Sequence, residues 1–249
     1  MLYICIPTYN EAPTVGLLLW RIRRVFQDYS REYEIVVYDD ASTDSTAETL
    51  APYKEVIPLT IIGGTQRRGY GHALDALCRE VAARTRYPRR DAMIVMQADF
   101  TDQPEQIPDL LKRFEGGADL VTTSQAGSTA PGEVLRLRRL ARWIQKLAMP
   151  RNASAGGAEA FTSFRCYRIS VLRELIKTLG DAPIVTTDGW AANAELLFRA
   201  TPFARKIETL QLEKRYDLRP RPSRIRPLPS ALGIYRVARN ARRLLATGS

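Results

Sequence analysis

The chain has 249 residues, 45% of them hydrophobic and 26% charged, the proportions of an ordinary folded domain rather than a disordered chain. Its longest apolar run, VGLLLW at 15–20, falls far short of the roughly 20 residues that cross a bilayer. The net charge of +10 calls for an anionic partner: phosphate groups, a membrane surface or nucleic acid.

The charge is unevenly spread. Residues 214–249 hold ten Lys or Arg and one Asp, a net +9, so the first 213 residues are close to neutral. The opening MLYICIPTY lacks the basic start and small-residue cleavage site of a secretory leader, so a cytoplasmic chain beginning at Met1 is expected. Cys5, Cys78 and Cys166 are widely spaced with no C-x-x-C, and read as small buried apolar residues.

LYICI (2–6) reads as a strand. Val15, Leu18, Leu19, Ile22, Val25 and Phe26 then recur at spacings of three and four, one face of a helix with Pro13 in its first turn. EIVVY (34–38) is a second strand, and Ser45 with Glu48 has capping-box spacing for the next helix. LTII (59–62) precedes a glycine turn and a helix carrying Leu74, Leu77, Cys78 and Val81. AMIVM (92–96) is a fourth strand, Pro104 to Phe114 a short helix, and ADLVTTS (118–124) a fifth strand.

The second half is less regular. Val134 to Met149 predicts a basic helix, NASAGGAEA a flexible connector, SFRCYRI an extended segment, Val171 to Leu179 and Trp190 to Ala200 two helices, and Ile207 to Leu212 a strand. RPRPSRIRPLP (219–229) predicts an extended arm, because proline fixes φ and removes a donor. The last segment, Ala231 to Ala246, places Ile234, Val237, Ala238, Ala241, Leu244 and Leu245 on one helical face, with Arg236, Arg239, Arg242 and Arg243 mostly off it. Alternating strands and helices predict an α/β fold, a mainly parallel sheet covered on both faces, with ligands at the carboxyl ends of the strands. PTYNE, DDASTD, RRGYG and QADFTD each follow a strand directly, so all four loops are candidates to line one crevice.

These strand-end clusters resemble the family 2 glycosyltransferases, whose GT-A fold is Rossmann-like and whose members transfer sugars from nucleotide donors with inversion. The likeness is closest to the branch that makes polyprenyl-phosphate sugars, such as the dolichol-phosphate mannose synthases. IPTYNEA (6–12) is similar to the family's opening nucleotide-binding strand end, VVYDDASTDST (36–46) to its acidic segment, and RRGYGHAL (67–74) to its glycine turn. MQADFTDQPE (96–105) stands where the family has D-A-D, TSFRCYR (162–168) resembles its acceptor-side S-G-F-R without the glycine, and AELLFRA (194–200) resembles its later helix. The resemblance implies a catalytic domain over 1–213, with a nucleotide-sugar half at 1–125 and an acceptor half at 126–213, followed by a basic arm and amphipathic helix at 214–249.

The donor site implied is Pro7, Tyr9, Glu11, Asp39, Asp40, Arg68, Gly69, Gln97, Ala98 and Asp99. Asp39 and Asp40 suit base N–H groups and ribose hydroxyls, although one of them can equally cap the next helix. Glu11 is unremarkable at a helix start, and the arginines and glycines of 67–71 let guanidinium and backbone approach phosphate. Gln97 replaces the family's first aspartate, so a divalent Mg or Mn would be held by Asp99 with the Gln97 amide oxygen, and Asp102 is the second choice.

A hydroxyl acceptor needs a general base, for which Asp188 in TTDGW is the candidate. A lipid monophosphate, with its second pKa of about 6, is already anionic and needs cations instead. Arg165 is the leading one, with Ser163, Arg138 or Arg139, and Arg215, Arg219 and Arg224 beside it. Asp99, Arg165 and Asp188 are thus the catalytic candidates. A lone His72 rules out histidine clusters.

The expected function is inverting transfer of a hexose, mannose from GDP-mannose being one option, from a GDP- or UDP-sugar to a polyprenyl phosphate. The protein would work at the inner face of an anionic membrane through its C-terminal helix, although that helix can equally pack on the domain as an ordinary last helix. Transfer to a soluble hydroxyl acceptor and nucleotide binding without catalysis are the alternatives. Nucleic acid is not expected as a partner, because only Tyr216 and Tyr235 offer stacking near the basic tail.

Overall fold

The computed structural model describes residues 1–125 and 160–212, together with positions 132, 136, 139, 232, 233, 235–237, 239 and 240. Arg138, Arg215, Arg219 and Arg224, the connector at 152–159 and the arm at 219–229 lie outside the described residues.

The strands are β1 (Leu2–Thr8), β2 (Tyr33–Asp39), β3 (Leu59–Gly63), β4 (Ala92–Val95), β5 (Leu120–Gln125), β6 (Arg165–Arg168) and β7 (Ile207–Leu212). They form one sheet in the order β3-β2-β1-β4-β6-β5-β7. Helices α1 (Ala12–Asp28), α2 (Thr46–Leu50), α3 (Tyr70–Arg84), α4 (Ile107–Glu115), α5 (Ile169–Leu179) and α6 (Trp190–Ala200) connect and cover them.

Every pairing is parallel except those made by β6, which runs antiparallel to both β4 and β5. The alternation of β1 sorts its side chains: Leu2, Ile4 and Ile6 join α1 and α4 in one buried cluster, while Tyr3 and Cys5 join α3, α5 and α6 in the other. A strand buried on both faces must read as a continuous apolar run, which is what LYICI shows. All three cysteines are buried with free thiols, as expected, and burial pushes the Cys166 thiol up to about 12.

α1 buries Val15, Leu18, Leu19, Ile22 and Phe26, while Val25, expected on the same stripe, is half-buried at its edge. Its N-cap residue, Glu11, makes no side-chain cap bond to the helix amides. A cap contributes only about 1 kcal/mol, whereas each buried Leu or Ile contributes about 2 kcal/mol, so packing fixes this helix. The capping box expected from Ser45 and Glu48 does not form: Ser45 makes no side-chain cap bond and Glu48 is exposed. The carboxylate of Asp44, one residue earlier, takes the Thr46 amide at 3.0 Å instead.

Register explains why the loops meet. Thr8 lies opposite Asp39, and Asp39 opposite Gly63, so β1, β2 and β3 end level with one another. The chain turns outward from β1 to β2 and β3, then returns to place β4 on the other side of β1, a topological switch point that opens a crevice at the carboxyl edge. Because β6 is antiparallel to β4, with Arg165 opposite Val95, the amino end of β6 arrives at that same rim and carries TSF with it.

Gly132, Arg136 and Arg139 are helical and exposed. At the C-terminal end, Val237 is buried in the core cluster beside α6, and a Cβ on Gly233 would lie 3.0 Å from that of Ala191. Arg236 and Arg239 are exposed, as the helical pattern predicts.

Candidate active site

Three loops at the carboxyl edge contain a non-glycine residue in the left-handed region: Asn10 (φ 52°) after β1, Ala41 (φ 56°) after β2 and Phe100 (φ 61°) after β4. For Ala and Phe this conformation costs about 1–2 kcal/mol, and such strain gathers where a loop must hold an unusual shape for function. Side-chain bonds hold the first two loops in place. The Asn10 amide donates to Ser42 Oγ at 2.9 Å, Thr43 N donates to Asn10 Oδ1 at 2.7 Å, and Glu11 N donates to Thr46 Oγ1 at 2.9 Å.

Two predicted donor residues serve this lacing. Asp39 Oδ1 accepts from Ser42 N and Ser42 Oγ, and Glu11 is the buried N-cap residue of α1, its carboxylate taking the Thr14 hydroxyl at 3.2 Å. Pro7 lies in β1 opposite Tyr38, one pair before its end.

Asp44 closes the same lacing by accepting from Ala12 N and Thr46 N. Burial alone would raise its pKa, but the hydrogen bonds from Thr46 and Ala12 outweigh it and hold the carboxyl below its ordinary value. Burial likewise works against Asp91, which is brought down by the Met1 amine and Thr85. A carboxyl with a depressed folded pKa stabilises fully above its unfolded value and loses that contribution as pH falls through the folded one. The urea midpoint is therefore expected to drop between about pH 5 and pH 3, and Asp44→Asn should flatten that slope in a denaturation series.

The glycine turn after β3 is gripped from two sides. Asp40, 4% exposed, accepts from Arg68 N at 2.7 Å and Gly69 N at 2.9 Å. Asp188, from far along the chain, accepts from Gly71 N at 3.0 Å. Gly69 takes φ 93°, and a Cβ on Gly71 would sit 2.0 Å from the Thr187 carbonyl oxygen, so glycine is required at both positions.

Backbone amides expected to face phosphate are thus already bonded to carboxylates. Beside Tyr9 and Asp40 stands the guanidinium of Arg67, one of the two arginines of the turn, where the sequence singled out its neighbour Arg68. The Arg67 guanidinium lies 3.9 Å from the centroid of the Tyr9 ring, its Nε is 3.8 Å from Asp40 Oδ2, and its side chain is 61% exposed. The doubled arginine was the only signal in the sequence for this contact.

At the end of β4, Ala98 and Asp99 are buried and Gln97 is half-buried. Asp99 Oδ1 accepts the Thr101 amide at 3.1 Å. Asp102, the second-choice metal ligand, accepts from Gln97 N and from Ser163 Oγ, joining the β4 loop to the amino end of β6. Burial and the nearby Asp102 charge push the Tyr70 phenol up, and Tyr70 Oη donates to Asn193 Oδ1 at 2.8 Å. Asn193 O in turn accepts from Arg165, two residues after the Ser163 that bonds Asp102, so the β4 loop and the glycine turn share one neighbourhood.

Among the described residues, no three His, Cys, Asp or Glu gather to hold an ion. The donor set fits only a cation that takes most of its ligands from phosphate and water.

The acceptor-side expectations for Arg165 and Ser163 are corrected by burial. Arg165 is 0% exposed, and its guanidinium donates to Asn193 O at 2.6 Å and to Ala160 O. Ser163 is 2% exposed and bonded to Asp102. Both hold chain segments together beneath the rim. Arg139, helical and exposed, makes no contact that ties it to the crevice in the described set.

The structure thus gathers Tyr9, Asp40, the 67–71 turn and Asp188, with Gln97, Asp99 and Asp102 on the adjoining loop. The crevice combines an aromatic face, an exposed guanidinium and carboxylates at a strand switch point, a combination suited to a flat base and a diphosphate.

Known proteins resemble this chain in sequence and in fold. An undecaprenyl-phosphate 4-deoxy-4-formamido-L-arabinose transferase of Pseudomonas fluorescens is 28% identical over 174 residues, which takes in 70% of this chain and 48% of that protein. The transferase of the same name from Photorhabdus laumondii is 34% identical over 123 residues, 49% of this chain and 36% of that protein. The chain thus spans about half the length, or less, of the curated relatives it matches.

Among solved structures, glucosyl-3-phosphoglycerate synthase from Mycobacterium tuberculosis, in complex with Mn2+, UDP and glucosyl-3-phosphoglycerate, superposes with a TM-score of 0.65 at 20% identity, covering 97% of this chain and 78% of that one. S. aureus TarS in complex with UDP gives 0.59 at 15% identity, covering 99% and 70%. At these identities the likeness establishes the GT-A fold. The sequence model of glycosyl transferase family 2 matches residues 3–176, well over half of the chain, and this chain belongs to glycosyl transferase family 2.

Proposed function

We propose that this protein transfers a sugar from a nucleoside-diphosphate sugar to a polyprenyl phosphate. The observation that carries the reading is the convergence of Tyr9, Asp40, Arg67 and Asp188 on one glycine turn at the strand switch point. The names of the relatives, undecaprenyl-phosphate transferases, support the acceptor.

In this reading a phosphate oxygen of the lipid attacks the anomeric carbon. The bond from that carbon to the donor diphosphate breaks, and the nucleoside diphosphate leaves with the electron pair. No base is needed, because the attacking phosphate is already anionic at neutral pH. Tyr9 and Asp40 frame the base and ribose, and Arg67 steadies the diphosphate through charge-assisted hydrogen bonds.

A divalent ion, when bound, would supply positive charge to the departing diphosphate. Asp99 and the Gln97 amide oxygen are the residues proposed to hold it, together with phosphate oxygens. The Mn2+ named with the M. tuberculosis structure supports that part of the proposal.

The sugar is proposed at the level of class. A hexose such as mannose was the expectation, whereas the relatives' names carry an arabinose derivative. Residues 1–213 are proposed as the catalytic part, and the exposed arginines of the basic 214–249 segment, such as Arg236 and Arg239, are proposed to meet an anionic membrane at the cytoplasmic face while Val237 packs into the core. Among the described residues, no helix is long and apolar enough to cross that membrane.

The test is donor profiling with undecaprenyl phosphate, UDP- and GDP-linked hexoses and pentoses, with and without Mn2+, read by mass spectrometry of the lipid. A glycosylated lipid phosphate is expected from at least one donor. A sugar appearing only on a hydroxyl acceptor, or none transferred from any donor, would sink the reading.

Asp188 separates the two acceptor chemistries. Asp188→Asn keeps an oxygen for the Gly71 amide, so transfer to lipid phosphate should stay within about threefold, while Asp188→Ala releases the turn and should cost about tenfold or more in kcat/KM. Loss of about 100-fold or more in the Asn variant would instead mark Asp188 as a general base.

A further inference from the structure

Glu195 lies on α6 and is 2% exposed. Six hydrogen bonds converge on its carboxylate. Oε2 accepts from Thr186 N, Thr187 N and Thr187 Oγ1, each at 2.9 Å. Oε1 accepts from Thr186 Oγ1 at 2.8 Å and from Arg199 Nε and Nη2 at 3.2 and 3.0 Å.

So many donors on one buried carboxylate satisfy all its lone pairs and leave the segment from Thr186 to Asp188 little freedom. The next link is direct. Asp188 accepts from Gly71 N, and the Thr187 carbonyl stands where a Cβ on Gly71 would be, 2.0 Å away. Whatever fixes Thr187 and Asp188 also fixes the glycine turn, whose far side is held by Asp40.

We propose that Glu195 is a positioning residue: through Thr186 and Thr187 it sets Asp188 and the Thr187 carbonyl, and through them the shape of the 67–71 turn that receives the donor diphosphate. This rests on the transferase reading for the identity of the ligand, but the mechanical link stands on the geometry alone. Glu195 touches neither the crevice nor the turn, so its effect must be transmitted.

A buried structural carboxylate and a positioning one separate by what changes at the turn. In Glu195→Gln an amide NH2 replaces one acceptor and faces donors. Amide hydrogen exchange across residues 67–73, read by mass spectrometry well below the unfolding temperature, should then speed up about tenfold in the folded variant. Calorimetric Kd values for UDP and GDP should rise about tenfold under the same conditions.

Thr186→Val with Thr187→Val, which removes only the two hydroxyls, should reproduce the direction with a smaller change. Combined with Glu195→Gln, it should add less than it does alone, since one of the two hydroxyls has already lost its acceptor oxygen. The double threonine variant also decides the matter if Glu195→Gln does not fold.

Exchange at 67–73 within twofold of the parent in a folded variant, or effects of the glutamate and threonine changes that simply sum, would overturn the proposal. If the parent binds no nucleoside diphosphate, the transferase reading fails while the exchange comparison still decides the role of Glu195.

Discussion

Gly71→Ala is expected to remove sugar transfer almost entirely. The added methyl carbon would lie 2.0 Å from the Thr187 carbonyl oxygen, where an ordinary contact needs 3.4 Å or more, so one of two backbones must retreat by over an ångström. Neither moves freely. Gly71 is in the first turn of α3, and Thr187 is held by Glu195 through both its amide and its hydroxyl.

A displacement of about 1 Å near reacting groups costs on the order of 100-fold in rate, and overpacking against backbone costs about 1–3 kcal/mol of stability. The expected result is a folded protein with a lowered unfolding temperature and kcat/KM down by about 100-fold. Gly64→Ala is the control, because a Cβ there meets nothing nearer than 4.0 Å. Equal behaviour of the two variants would show that the 67–71 turn tolerates movement and is not the donor site.

Asp40→Ala is the second large effect. The carboxylate is buried and accepts from the amides of Arg68 and Gly69, with Arg67 Nε at 3.8 Å. Removing it leaves two amides without their acceptor, each worth about 1–3 kcal/mol when buried. These groups are only partly covered, so about 2–4 kcal/mol in total is expected from urea denaturation.

Nucleoside-diphosphate affinity should fall about tenfold or more, since the turn loses its inner support and Arg67 its anionic neighbour. Asp40→Asn should lie between, because one amide oxygen still accepts while the NH2 opposes a donor. Stability within about 0.5 kcal/mol of the parent, with unchanged affinity, would remove Asp40 from the site. By contrast, Asp39→Ala should act mainly on its own loop, where Ser42 is its partner.

Much of the architecture was legible in the chain itself, because local periodicity follows burial. LYICI is buried on both faces and reads as an unbroken apolar run, and Leu74, Leu77, Cys78 and Val81 repeat as the inner face of α3. The polar clusters after β1 to β4 announced the rim, since polar groups at strand ends are tolerated only where something satisfies them.

What the chain could not announce was the division of labour among those polar residues, because it depends on partners far away in sequence. Gly71 meets Asp188 across 117 positions, Tyr70 meets Asn193 across 123, and Arg165 meets the Asn193 carbonyl across 28. Local pattern alone does not distinguish a guanidinium facing solvent from one spent on buried carbonyls, so Arg165 read as a ligand and Arg68 was singled out over its neighbour Arg67.

The order of strands, with β4 on the other side of β1 from β2 and β6 reversed beside it, decided which loops share a crevice and brought TSF to the rim by its amino end. Sequence by itself determined the strands and helices of residues 1–125 and 160–212 and the family likeness, because these follow from short-range pattern. Tertiary structure alone decided which carboxylate grips the glycine turn, which arginine faces outward and which glutamate holds the loop behind them, because each depends on long-range pairing and on burial.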